Sequence, residues 1–68
     1  MAEQVYKKID VVGTSSKSLE VAIQNAVAKS AETVRNMKWF EVMETRGRIE
    51  KGEVAEWQVT IRIGFAVT

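Results

Sequence analysis

The sequence predicts an α+β protein of one small domain spanning residues 1–68, with elements in the order β-α-β-β. Three observations predict it. The C-terminal stretch VAEWQVTIRIGFAV alternates apolar and polar residues with the period of a strand. A central stretch repeats its apolar residues at spacings of three and four, the period of a helix. Glycines at 13, 47, 52 and 64 punctuate the chain, and no repeat or linker divides it.

The elements follow in order. Residues 4–12 (QVYKKIDVV) read as a strand, with Val5, Ile9 and Val11 on one face and Lys7 among them. Gly13-Thr14-Ser15-Ser16 breaks it and offers helix caps. Residues 17–36 read as an amphipathic helix. Its apolar stripe is Leu19, Ile23, Ala26, Val27, Ser30 and Val34, running on to Met37. Residues 38–50 form a second strand, Lys51-Gly52-Glu53 a turn, and residues 54–67 a third strand. One face of the third strand carries Ala55, Trp57, Val59, Ile61, Ile63, Phe65 and Val67.

Chain direction fixes the topology. The helix runs back along the first strand, so the second strand starts in the first one's direction. The third opposes both. A fully antiparallel sheet then has the order 1-3-2, with the helix covering the apolar face of the central third strand.

Composition excludes much chemistry. The chain has no cysteine, histidine or proline, so thiol nucleophiles and the usual zinc, haem and iron–sulfur sites are excluded. General acid–base work by histidine is excluded too. The net charge of +1 is no nucleic-acid footprint. No window reaches about 18 consecutive apolar residues, and MAEQVYKKID lacks an apolar signal core, so a cytoplasmic protein is expected. The glutamates 20, 32, 41, 44, 50, 53 and 56 form no acid–base pattern and read as solvated charge, so no enzyme activity is expected. A core this small without disulfide or metal calls for oligomerisation.

The second face of the sheet is the informative one. If Phe40 and Val42 pack under the helix, then Trp39, Glu41, Met43 and Thr45 point away from it. Gln58 lies on the same outward face, so Trp39 and Gln58 can share a surface. Trp39 then has three readings: an oligomer contact, an isolated exposed aromatic, or a stacking platform with Gln58 reading a planar ligand's edge. Trp57, on the apolar side, reads as core. Arg46, Arg48 and Arg62 read as solvated or ion-paired, or as a phosphate clamp. A bulge at Gly47 would reset the facing of Arg46 and Arg48.

Taken together, Val12-Gly13-Thr14-Ser15, Ala22-Ile23, Trp39-Phe40-Glu41-Val42, Arg46-Gly47, Gln58-Val59 and Gly64-Phe65 resemble the dodecins. No piece is specific alone, but they cover nearly the whole chain in order. The resemblance implies a β-α-β-β protomer in a hollow homododecamer that binds flavin noncovalently at subunit interfaces. It places Trp39 at the position that stacks on a pair of flavins. It places Gln58 where the pyrimidine edge of the ring is hydrogen-bonded, and Arg46 where the phosphate of FMN is contacted. Several bacterial relatives carry a basic residue where this chain has Ala66, which weakens any preference for FMN over riboflavin. Some relatives also bind coenzyme A at a separate surface; Lys7 and Lys29 are candidate contacts outside the flavin site.

The implied role is flavin storage and photoprotective buffering. An electron-rich indole stacked on a flavin quenches its excited state, and both flavin faces would be occupied, which suits a reservoir. The alternatives are an assembly module without flavin and a single-stranded nucleic-acid binder stacking bases on Trp39.

Overall fold

The computed structural model describes residues 3–67. It contains β1 (Tyr6–Ser15), α1 (Leu19–Ser30), β2 (Met37–Glu50) and β3 (Glu53–Ala66). The sheet is antiparallel in the order β1-β3-β2, as the chain directions require.

The predicted boundaries move at both ends of the helix. Gly13, Thr14 and Ser15 continue β1, paired with Val59, Gln58 and Trp57. The break comes one step later, where the Ser15 hydroxyl accepts from the backbone N–H of Lys17 at 2.9 Å. Ser18 is the helix cap, its hydroxyl accepting from the Val21 N–H at 3.1 Å. The helix ends at Ser30, short of residue 36. Val34 donates back to the Ser30 carbonyl at 2.8 Å, and Asn36 turns the chain at φ 63°, a conformation asparagine tolerates.

Gly13 decides where the helix lies. It faces α1, and a Cβ there would overlap the Ala22 carbonyl and stand 2.8 Å from Ala26 Cβ. Glycine opposite two alanines lets the helix settle onto the seam of β1 and β3. The core gathers there: Ala22, Ala26, Val59, Ile61 and Ile63 are buried, with Ile9, Val11, Leu19, Ile23, Val27 and Met37 packed around them. Val5, expected on that face, is exposed.

The helix is narrower than the sheet. A helix body of about 10 Å spans two strands at ~4.8 Å spacing. β2 is left outside. Phe40 and Val42 pair with Ile63 and Ile61 and face the helix side, yet they are 46% and 47% exposed. The premise that they pack under the helix does not hold: they face its side of the sheet but lie beyond its reach. Length adds to the mismatch, because the 12-residue helix reaches about 18 Å while 14-residue strands reach about 46 Å. The molecule measures 56 × 20 × 13 Å with a radius of gyration of 14.2 Å. A compact chain of this length would have about 11 Å.

The hairpin turn is a two-residue turn, with Lys51 at φ 54° and Gly52 at φ 77°. It sets Glu50 against Glu53. Gly47 is not a bulge: it pairs in register with Trp57. The register shifts fall elsewhere, leaving Ala55, Met43 and Lys38 without opposite partners. The Ala55 and Met43 irregularities compensate each other and bracket one segment. Within it, Glu44, Arg46 and Arg48 oppose Thr60, Gln58 and Glu56 on the outward face, while Thr45 turns to the helix side. Simple alternation from Phe40 gives the reverse facing.

Candidate functional site

The outward face is laid out in rows by the strand register. Tyr6 lies opposite Ala66. Lys8, Gly64 and Trp39 form the next row across the three strands, followed by Asp10, Arg62 and Glu41. Val12, Thr60 and Glu44 come next, and then Thr14, Gln58 and Arg46.

Trp39 is seated on glycine. The ring atoms Cζ2, Cε2 and Cη2 are nearly equidistant from the place where a Gly64 Cβ would project. That arrangement puts a face of the indole over Gly64, since an edge-on ring would present one atom much nearer than its neighbours. Any side chain at 64 would displace the indole. Tyr6 flanks it, with ring centroids 5.1 Å apart and planes inclined at 70°. Trp39 stays 37% exposed, so part of its surface remains open to solvent.

Next to this platform lies a band of ion pairs. The Lys8 ammonium donates to Glu41 Oε1 at 3.1 Å. Arg62 holds Asp10 with two hydrogen bonds, Nε to Oδ1 at 2.7 Å and a second nitrogen to Oδ2 at 3.1 Å. The Arg62 bond holds the Asp10 carboxyl below its usual pKa, burial opposing it and the Arg62 charge assisting; Arg62 is raised by the same contact. Arg48 is paired with Glu50 at 2.9 Å.

The opposite end of the face holds Gln58 and Arg46, directly opposed across β3 and β2. The Gln58 amide donates to Glu56 Oε1 at 2.9 Å, which orients it and leaves its carbonyl available as an acceptor. Arg46 makes no hydrogen bond or ion pair among the described residues. It is the outward arginine whose charge is uncommitted.

The structure therefore brings together Gln58 and Arg46 but not Trp39. Trp39 and Gln58 share the outward face, as expected, and the register puts Arg46, whose facing the sequence leaves open, there too; yet Gly64 and Gln58 stand six residues apart on one strand, about 20 Å at ~3.3 Å per residue. No single flavin ring system spans that distance within one chain. A site using all three residues draws Trp39 from one copy and Gln58 with Arg46 from another. Trp57 is half-buried on the helix side. Lys29 is paired with Glu32 at 3.3 Å, and Lys7 lies opposite Phe65. Sequence reasoning missed Tyr6 and the seating role of Gly64. Both follow from the strand order once the register is known, because Tyr6 and Trp39 flank β3 from either side.

On the helix side, an open groove of about 200 Å³ runs between α1 and β2, lined by Val27, Met37, Phe40 and Ile63 among others. Among the described residues no group of three or more acidic side chains is placed to hold a metal ion. No described helix is long and apolar enough to cross a membrane.

The fold and site define a small α+β protein with an aromatic platform on one sheet face and a half-exposed apolar strip on the other. The chain belongs to the dodecin family, whose model matches residues 5–68. It is 50% identical over 62 residues to the dodecin of Thermus thermophilus, covering 91% of this chain and 90% of that one. The dodecin of Streptomyces davaonensis superposes with a TM-score of 0.94 at 39% identity, over 98% of both chains. An arginine-to-alanine variant of the T. thermophilus dodecin superposes at 0.93 with 48% identity, over 97% of both chains. That protein has also been solved with a tryptophan changed to phenylalanine and with another arginine changed to alanine. The three altered positions are spaced along that chain as Trp39, Arg46 and Ala66 are here.

Proposed function

We propose that this protein binds flavin noncovalently as a homo-oligomer, a dodecamer by family resemblance, and stores it in the cytoplasm in a light-protected form. The observation that carries the reading is the indole of Trp39, backed by Gly64 and open on part of its surface. A bare aromatic plane on a sheet face is suited to a planar ring. The separation of Trp39 from Gln58 and Arg46 is consistent with a site completed between copies.

When bound, the flavin supplies a light-absorbing electron acceptor. Trp39 would hold the ring by stacking, and its electron-rich indole would lie close enough to quench the flavin's excited state. Gln58 of a second copy offers a carbonyl and an N–H to the ring's hydrogen-bonding edge. The uncommitted guanidinium of Arg46 offers a bidentate contact to a phosphate. Ala66 adds no cation beside Trp39, and Lys8, in the row of Trp39, is already held by Glu41. Arg46 alone then separates FMN from riboflavin, so the two ligands differ modestly. Turnover of a substrate is not part of this role.

Titration of flavin-stripped protein with FMN and riboflavin, read by flavin fluorescence, tests the proposal. Saturable quenching is expected. The Trp39→Ala protein should lose about 5- to 100-fold in affinity, the range for one aromatic stacking partner, while sedimenting as wild type. Full affinity in that variant would sink the stacking role.

A further inference from the structure

The proposed role names Trp39 but not what holds its ring in place. Residues around it restrain it unequally. Gly64 supports one face of the indole but forms no wall, since a glycine has no side chain to stop the ring from swinging about its Cα–Cβ and Cβ–Cγ bonds. Lys8, in the same row, directs its ammonium to Glu41 in the next. Ala66 is too small to reach across. Arg62 and Glu41, in the next row, are committed to Asp10 and Lys8, and Tyr6 is the described residue in ring contact with Trp39.

We propose that Tyr6 is the positioning residue of the platform: its ring, inclined 70° to the indole at 5.1 Å, fixes the orientation in which Trp39 meets a planar ligand. This rests on the flavin-binding reading and deepens it. The geometry is that of an edge-to-face aromatic pair, favoured by the ring quadrupoles. The two residues reach each other over β3, from strands that flank it, and Gly64 keeps the space between them open. A ligand that stacks on a ring already held in position does not have to immobilise it, and binds more tightly for that reason. The contact belongs to the ring and not to the phenol hydroxyl, so phenylalanine should replace tyrosine here.

The test compares Tyr6→Ala and Tyr6→Phe with wild type in two measurements. The first is the near-ultraviolet circular dichroism of flavin-free protein, where a tryptophan held beside another ring gives a fixed-orientation signal. Trp57, remote from Tyr6, contributes a constant background. The second is affinity for FMN by fluorescence quenching. Tyr6→Ala should lose the Trp39 signal and bind FMN about 3- to 10-fold more weakly, the worth of one aromatic pair. Tyr6→Phe should keep both. Sedimentation of each variant excludes loss through disassembly. Unchanged spectrum and affinity in Tyr6→Ala overturn the proposal, and so does a failure of Tyr6→Phe to restore them. If wild type binds no flavin, the flavin reading falls separately, and the ultraviolet signal alone decides whether Tyr6 orients Trp39.

Discussion

The two halves of the helix side of this sheet are built from similar residues and end in opposite states. Over β1 and β3, Val59, Ile61 and Ile63 are buried to 1% exposure or less. One strand away, Phe40 and Val42 sit in register with Ile63 and Ile61 and are nearly half exposed. Hydrophobicity does not separate them. The position of the helix does, and Gly13 with Ala22 and Ala26 sets that position. The folding of the chain and the burial of β2 are thus separate tasks, and the protomer meets the first without the second.

Substitutions on either half should behave differently. Ile61→Ala removes a fully buried branched side chain and should cost about 2–5 kcal/mol. Its urea midpoint should fall at every protein concentration. Phe40→Asp places a charge on the bare half. It should break assembly into small species in sedimentation, and its stability should not rise with protein concentration as that of an assembling wild type is expected to. A Phe40→Asp protein that assembles as wild type does would remove self-association from this side of the sheet. Equal concentration dependence in both variants would erase the distinction between the halves.

Legibility in the sequence divides along a similar line. β3 could be read directly, because a strand buried on one face alternates without interruption from Ala55 to Val67. The strand order followed from chain direction alone. Trp39, Gln58 and Arg46 were singled out on residue type and resemblance. Their grouping was not legible, because it depends on two compensating bulges. Alternation from Phe40 through Val42 would turn Arg46 toward the helix. The irregularity at Met43 reverses that, and the one at Ala55 absorbs the offset before the turn. Such shifts arise from how two strands accommodate each other, and no single residue announces them. The helix was overextended for a similar reason. The apolar spacing continues through Val34 and Met37, but Val34 lies beyond the helix end and Met37 reaches the core from β2.

The outward face offers the smallest of these effects, from the Asp10–Arg62 pair. The folded-state pKa of Asp10 is lowered from 3.8, chiefly by its hydrogen bond from Arg62. A carboxyl depressed in this way adds stability above its unfolded pKa and loses that contribution as pH falls through the folded value. Asp10→Asn should therefore be slightly less stable than wild type above about pH 4, and the two should converge in stronger acid. Chemical denaturation across pH 2 to 7 reads the difference, which is small because both groups are solvent-exposed. A gap that persisted undiminished at the acid end would show that Asp10 contributes by something other than its charge. The same series tests the platform. The chain has no histidine, so no side chain here has an ordinary pKa near neutrality. Riboflavin quenching should stay flat between about pH 5 and 7, whereas FMN carries a phosphate with a second pKa near 6, so a midpoint seen with FMN and not with riboflavin would report that phosphate.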